Sequence, residues 1–184
     1  MLKRILVGCS VLAAMAIVTP VSAEMNPDPS ESMTLDQLDL ITGYLVSDQY
    51  IASRLKLRQL DQDPVPELIT IAMDGKKKSY VRERALQSMS LFQDKRIKDA
   101  FLKLLQEKPD RYFALTVMSY LEAFGEDGVK DVEGFLADAN PDVRLAVVKG
   151  LGLFGGGRGF ELLQSLDKTE QNPQVLSELR SYVQ

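Results

Sequence analysis

Val143-Arg144-Leu145-Ala146-Val147-Val148-Lys149-Gly150-Leu151-Gly152-Leu153-Phe154 is the stretch that decides the fold. Val81-Arg82-Glu83-Arg84-Ala85-Leu86-Gln87-Ser88-Met89-Ser90-Leu91-Phe92 carries the same pattern 62 residues earlier. Both open Val-Arg, run through small and apolar residues, place Ser or Gly at the eighth and tenth positions and end on Phe. Midway between them Phe113, Val117, Leu121, Phe124 and Gly125 occupy the corresponding places, with Tyr120 where the other copies have Ser88 and Gly150. Asn172-Pro173-Gln174-Val175 echoes Asn140-Pro141-Asp142-Val143 at a spacing of 32 and leads into Leu179 and Val183. A period of about 30–32 residues is the signature of stacked repeats, none of which can bury its apolar stripe alone.

Within each period the apolar residues recur at three- and four-residue intervals, the helical spacing, and no segment alternates with period two. Each unit therefore holds two helices. Asp63-Pro64, Asn140-Pro141 and Asn172-Pro173 read as N-caps followed by a residue with preset φ. Gly75, Gly125 and Gly155 stand where a helix ends in a left-handed residue. The second helices are read from Ile97, Ala100, Phe101, Leu104 and Leu105, from Val129, Val132, Phe135 and Leu136, and from Phe160, Leu162, Leu163 and Leu166. Helices near 35–46, 48–60 and 64–74 form a more divergent start, with Thr34 and Gln37 as a capping box. Phe92, Phe124 and Phe154 are the expected inter-helix anchors, and the C-terminal helix is expected to cap the stack with Gln174, Glu178, Arg180 and Gln184 towards water.

Asn140-Pro141-Asp142-Val143-Arg144, with Ala146, Val147, Gly150-Leu151-Gly152 and Gly155, resembles the HEAT-like repeats, in particular the short variety named after phycobilisome lyases. The copy at 79–106 is a good match and that at 109–138 a looser one, so the resemblance spans roughly 48–184. It implies a right-handed α-solenoid of about four helix pairs with capping helices. It also implies that Arg82 and Arg144 tie neighbouring repeats together through carboxylates, with Asp142 and Asp110 as partners by analogy.

The N-terminal 23 residues read as an address. Met1-Leu2-Lys3-Arg4 is cationic, Ile5 to Val18 is apolar, and Val21-Ser22-Ala23 supplies small residues ahead of a cleavage point. Fourteen apolar residues as a helix span about 21 Å, short of a bilayer core of about 30 Å. The expectation is a cleaved secretory signal over 1–23, a flexible polar leader over 24–33 and a repeat domain over 34–184. An uncleaved anchor is one alternative. Another is a lipoprotein joined through Cys9, since Leu6-Val7-Gly8-Cys9 resembles a lipobox, but with too short an apolar core before it. Cleavage after Ala23 removes the only cysteine, leaving an exported chain without a disulfide framework. Every asparagine precedes a proline, so no N-glycosylation acceptor exists, which is compatible with a periplasmic or secreted protein.

The 184 residues are 45% hydrophobic with a formal charge of −4 and no His, which excludes Ser-His-Asp, Cys-His and His-ligated metal chemistry. The acidic balance argues against nucleic acid, which demands a cationic face. Lys76-Lys77-Lys78, reinforced by Arg82 and Arg84, is the one cationic cluster and reads as a solvated turn, with an acidic partner, lipid headgroups or nucleic acid as the functional reading. Gly155-Gly156-Gly157-Arg158-Gly159 lacks the strand and Lys-Ser/Thr of a phosphate loop and reads as a turn, with an anion beside Arg158 as the weaker alternative. Asp61/Asp63, Glu126/Asp127 and Asp138/Asp142 have no calcium-loop spacing and read as acids at helix termini.

The surface left for function is the face built from second helices. Its candidate partner contacts are Lys98, Asp99, Leu102, Lys103, Lys130 and Glu133. The expectation is a non-catalytic scaffold binding a protein partner through that face, with no cofactor, no metal, no nucleic acid and no stable membrane insertion once the signal is gone. The resemblance also allows a lyase-like or chaperone-like accessory protein, against which stand the signal segment and the missing histidines. HEAT-type DNA-processing enzymes are disfavoured by acidity and export, and the metal-dependent HEAT hydroxylases by the absence of His-Glu ligand motifs.

Overall fold

The computed structural model describes residues 29–107 and 111–184, with side chains from residue 37 onward. The signal segment with Cys9, the first part of the leader and Asp110 lie outside the described residues. Among the described residues every regular element is helical and the chain is all-α. The helices are α1 (Pro29–Val46), α2 (Arg54–Leu60), α3 (Val65–Met73), α4 (Ser79–Met89), α5 (Lys95–Gln106), α6 (Phe113–Phe124), α7 (Val129–Val132), α8 (Pro141–Phe154), α9 (Gly156–Leu166) and α10 (Pro173–Val183).

Two of the three expected proline caps form. Asn140 Oδ1 accepts from Asp142 N at 2.9 Å, and Asn172 Oδ1 accepts from Gln174 N at 2.9 Å and Val175 N at 3.2 Å. Asp63 does not cap α3, because its carboxylate is taken by Arg96 at 2.6 and 3.0 Å. At the first helix, α1 already begins at Pro29, so the end of the expected leader is helical and Thr34 lies inside the helix, away from its cap. The expected helix over 48–60 is reduced to α2. Arg84 Nη1 donates to Leu45 O at 2.7 Å and Ser47 O at 2.9 Å, and the Tyr50 hydroxyl donates to Arg84 O at 3.0 Å. These bonds from α4 hold residues 47–53 open. Of the expected left-handed glycines only Gly125 has positive φ, at 54°; in the next turn Gly156 takes it, at 59°, while Gly155 stays at −76°.

Alternate helices pack side by side: α4 on α6, α6 on α8, and α8 on α10, with α3 against α4 and α1 covering α3 and α4. On the other side α5 contacts α3 and α6, and α9 contacts α8. The small residues of the repeated stretch explain the spacing. A Cβ on Gly150 would stand 2.8 Å from Leu121 Cδ1 and 2.9 Å from Val117 Cγ1 of α6, and one on Gly152 about 2.5 Å from the Tyr182 ring of α10. The equivalent Ser88 is fully buried.

The middle unit departs from its neighbours. Its second helix is one α-turn, α7, between 3-10 turns at Gly125–Gly128 and Glu133–Ala137. Glycine disfavours a helix interior by about 1 kcal/mol, and Gly128 and Gly134 interrupt this one. Gly128 also makes room for Tyr120, whose Cε1 lies 2.9 Å from where a Cβ would stand. Phe135 still packs edge-on against Phe113, with ring centroids 5.3 Å apart.

Phe92 is buried, whereas Phe124 and Phe154 are half-buried against the core. Phe160, expected inside, is 43% exposed, and Leu163 alone of its helix's large apolar side chains is fully buried. Phe101 of α5 is fully enclosed and meets Tyr120 edge-on at 5.9 Å. Phe101→Ala is expected to destabilise by about 3–5 kcal/mol, the range for a fully buried phenylalanine. Phe124→Ala should cost roughly half as much, and chemical denaturation of the two variants beside the parent checks the order.

Candidate functional site

The expected contact face lies on α5, α7 and α9, and the structure ties most of its charges to each other. Lys98 Nζ stands 3.0 Å from Asp131 Oδ2 and 5.9 Å from the centroid of the Phe124 ring. The same Asp131 oxygen accepts the Tyr120 hydroxyl, and Tyr120 is fully buried. The bulk of Tyr120 thus reaches from α6 across to α7, where Ser88 and Gly150 leave helix faces close. Burial, followed by the Asp131 carboxylate, pushes the phenol of Tyr120 far up. Burial opposes ionisation of Asp131, but the Tyr120 hydroxyl and the Lys98 ammonium outweigh it and hold the carboxyl below its usual range. A phenol moved up beside a carboxylate moved down is a poor proton relay near neutrality and a firm cross-link between three helices.

The other expected contacts divide. Asp99 pairs with Lys95 one turn away, both well exposed, and Glu133 pairs with Arg158 Nη2 at 2.9 Å. Leu102 is not a free contact point, since it is half-buried against the core. Lys103 and Lys130 are exposed and form no ion pair with another described residue. Lys98 and Glu133 therefore stiffen the face, while Lys103 and Lys130 are open to solvent.

The glycine-rich turn holds an anion after all, but one from the chain itself. Glu126 Oε1 accepts from Arg158 N at 2.9 Å, and the Glu126 carboxylate lies beside Gly156 and Gly157 at the start of α9. A carboxylate at a helix N-terminus complements its partial positive charge, so the position proposed for an external anion is filled. The lysine cluster is likewise not assembled as expected. Arg82 turns inward, donating from Nε to Ala72 O at 2.9 Å and stacking 4.3 Å above the Tyr112 ring, and Arg84 bonds to residues 45 and 47.

Arg144 has a carboxylate partner, but it is Glu170 rather than the adjacent Asp142, which is exposed. Arg144 Nε and Nη2 donate to the two Glu170 oxygens at 2.7 and 2.8 Å, and Nη1 donates to Asp138 O at 2.8 Å. Glu170 Oε1 accepts further from Gln171 N and Asn172 N, and its side chain is only 3% exposed. The pair welds α8 to the loop that starts α10. A cleft of about 320 Å³ beside it is lined by Leu136, Asp138, Leu166, Thr169 and Gln171 together with the pair itself. The Arg144 guanidinium beside it, and then the backbone donors, hold the Glu170 carboxyl at about 2. A depressed folded-state value stabilises above the unfolded one and loses that contribution as pH falls through the folded one. Stability from this pair should therefore be complete above about pH 5 and fade towards pH 2. Arg144→Ala should cost about 3–5 kcal/mol at pH 7, and the loss should shrink in acid when both proteins are melted across pH.

A second acidic feature escaped the sequence reading. Asp61 and Glu67 are both buried and interact with each other, and neither Asp61 Oδ2 nor Glu67 Oε2 has a hydrogen-bond partner among the described residues. Burial foremost, with the Asp61 and Asp63 charges adding to it, raises the Glu67 carboxyl above its ordinary value. The signal was available: Glu67 lies four residues before Ile71 on the apolar stripe of α3. A raised folded-state value stabilises below the unfolded one and loses that contribution as pH rises through the folded one. Glu67→Gln keeps a donor towards Asp61 without the charge, so it should raise Tm at pH 7.5 and leave it nearly unchanged at pH 4.

Among the described residues no group of three or more His, Cys, Asp or Glu side chains converges to hold a metal ion, and no helix is long and apolar enough to cross a membrane. Compared with protein-family models and with curated proteins, the chain matches none of them.

Proposed function

We propose that the protein is an exported, non-catalytic scaffold that binds a protein partner along the face formed by α5, α7 and α9. In this reading the helices form a right-handed solenoid of about four HEAT-like repeats, residues 1–23 are a cleaved secretory signal, and the mature chain works in the periplasm or beyond. The observation that carries it is the state of the charges on that face. Lys98–Asp131 and Glu133–Arg158 are fixed within the fold, and Lys103 of α5 and Lys130 of α7 are exposed without an ion-pair partner among the described residues. A rigid row of charge with open lysines suits recognition of an acidic protein surface, because complementary rim charges govern encounter and register. On that face the phenol of Tyr120 is moved up and the Asp131 carboxyl down, both away from neutrality, which suits binding rather than turnover.

Cross-linking in intact cells followed by mass spectrometry tests this reading. Lys103→Glu combined with Lys130→Glu is expected to lower recovery of the cross-linked partner by about three- to tenfold, with unchanged melting. Equal recovery from the variant and the parent would exclude this face.

A further inference from the structure

At the start of the fold α2 departs from the usual amphipathic arrangement at one position. Leu57 is fully buried, and Leu55, about 200° from it around the helix axis, points outward and is 70% exposed. Ile51, in the loop just before, is 71% exposed. Around the helix Arg58 lies about 60° to one side of Leu55 and Lys56 about 100° to the other, and both are exposed. Neither Lys56 nor Arg58 has an ion-pair partner among the described residues. No Asp or Glu occurs from Gln49 to Leu60, although the whole chain is acidic; Asp48 and Asp61 bound the segment, and Asp61 is turned into the core.

This exposure is not looseness. The Tyr44 hydroxyl donates to Ile51 O, Arg84 holds Leu45 O and Ser47 O, and Tyr50 stacks edge-on against Tyr44 at 5.5 Å while bonding to α4. The backbone that carries Ile51 is thereby anchored to α1 and α4, yet the side chain is left in water. A cleft of about 380 Å³ runs alongside, lined by Ile51, Lys56, Tyr44 and Leu60.

We propose that Ile51, Leu55, Lys56 and Arg58 form a docking surface for a bilayer containing anionic lipid. Protruding aliphatic side chains ringed by cations match the interface of such a membrane. The apolar groups enter the acyl boundary, and the ammonium and guanidinium groups stay at headgroup level. A protein partner would have to supply an apolar pocket for two convex side chains, whereas a bilayer accepts them without a preformed shape. Charge complementarity then selects the anionic leaflet and orients an otherwise acidic molecule. Docking at α2 is independent of the scaffold reading, since it uses neither Lys103 nor Lys130.

The test uses the exported protein and sedimentation with vesicles of phosphatidylcholine, with and without about 30% phosphatidylglycerol. Binding is expected only to the phosphatidylglycerol vesicles and should weaken sharply with salt. Ile51→Ser with Leu55→Ser should lower partitioning roughly tenfold, and Lys56→Glu with Arg58→Glu should abolish it. Both pairs lie on the surface and should melt with the parent, which separates lost docking from lost folding. Lys76→Glu with Lys77→Glu, in the other cationic loop, should leave partitioning intact. So should Lys103→Glu with Lys130→Glu, so a failed scaffold face and a failed membrane face give different results. No binding to anionic vesicles, binding to both vesicles alike, or binding indifferent to the α2 variants would overturn the proposal. Capture of polyglutamate in place of vesicles would assign the surface to an acidic protein and overturn it as well.

Discussion

The close approach of α8 to both of its neighbours is the constraint on which the rest of the structure depends. Gly150 faces α6 and Gly152 faces α10, two residues apart and so on opposite flanks of one helix. With side chains at these positions, α8 would stand off from Val117 and Leu121 on one side and from Tyr182 on the other. The helices would then lose the dispersion contacts that a dense interior supplies. With a single cysteine the chain can form no internal disulfide, and helix-to-helix packing carries the stability.

Once the helices are set, charged groups fix the connections between them. Arg144 reaches from α8 into the α9–α10 loop and, through Glu170, orders the same backbone that Asn172 then uses to begin α10. Arg96 ties Asp63 ahead of α3 to the first turn of α5, and Glu126 closes the start of α9. These pairs sit at loops, where backbone donors and acceptors lack helical partners. Among them Arg144–Glu170 is buried and costly to break, whereas Arg96 and Asp63 are about half exposed and contribute little individually.

The middle unit shows how one substitution in a repeat propagates. Tyr120 takes the place of a serine or glycine, Gly128 gives up its side chain to receive the ring, and the following helix breaks into short turns around Asp131, which binds the Tyr120 hydroxyl. The bulk of Tyr120 thus accounts for Gly128 and for the cross-link to Lys98 through Asp131, while Gly134 adds a second interruption.

The sequence by itself determined the helical class and the small positions of α4 and α8, because these follow from nearest-neighbour spacing and need no knowledge of what faces what. It also determined the caps at Asn140 and Asn172, which are local interactions within three residues. Only the tertiary structure decided the partners of the charges. Arg144 found Glu170 rather than Asp142, Arg82 found a carbonyl and a ring, and Asp63 was drawn from its cap by Arg96. The anion beside Arg158 proved to be Glu126, 32 residues away. A long cation chooses among carboxylates by distance in space and by the burial each position imposes. Neither quantity exists until the helices have packed, so the helical class was legible in the order of residues and the pairing of the charges was not.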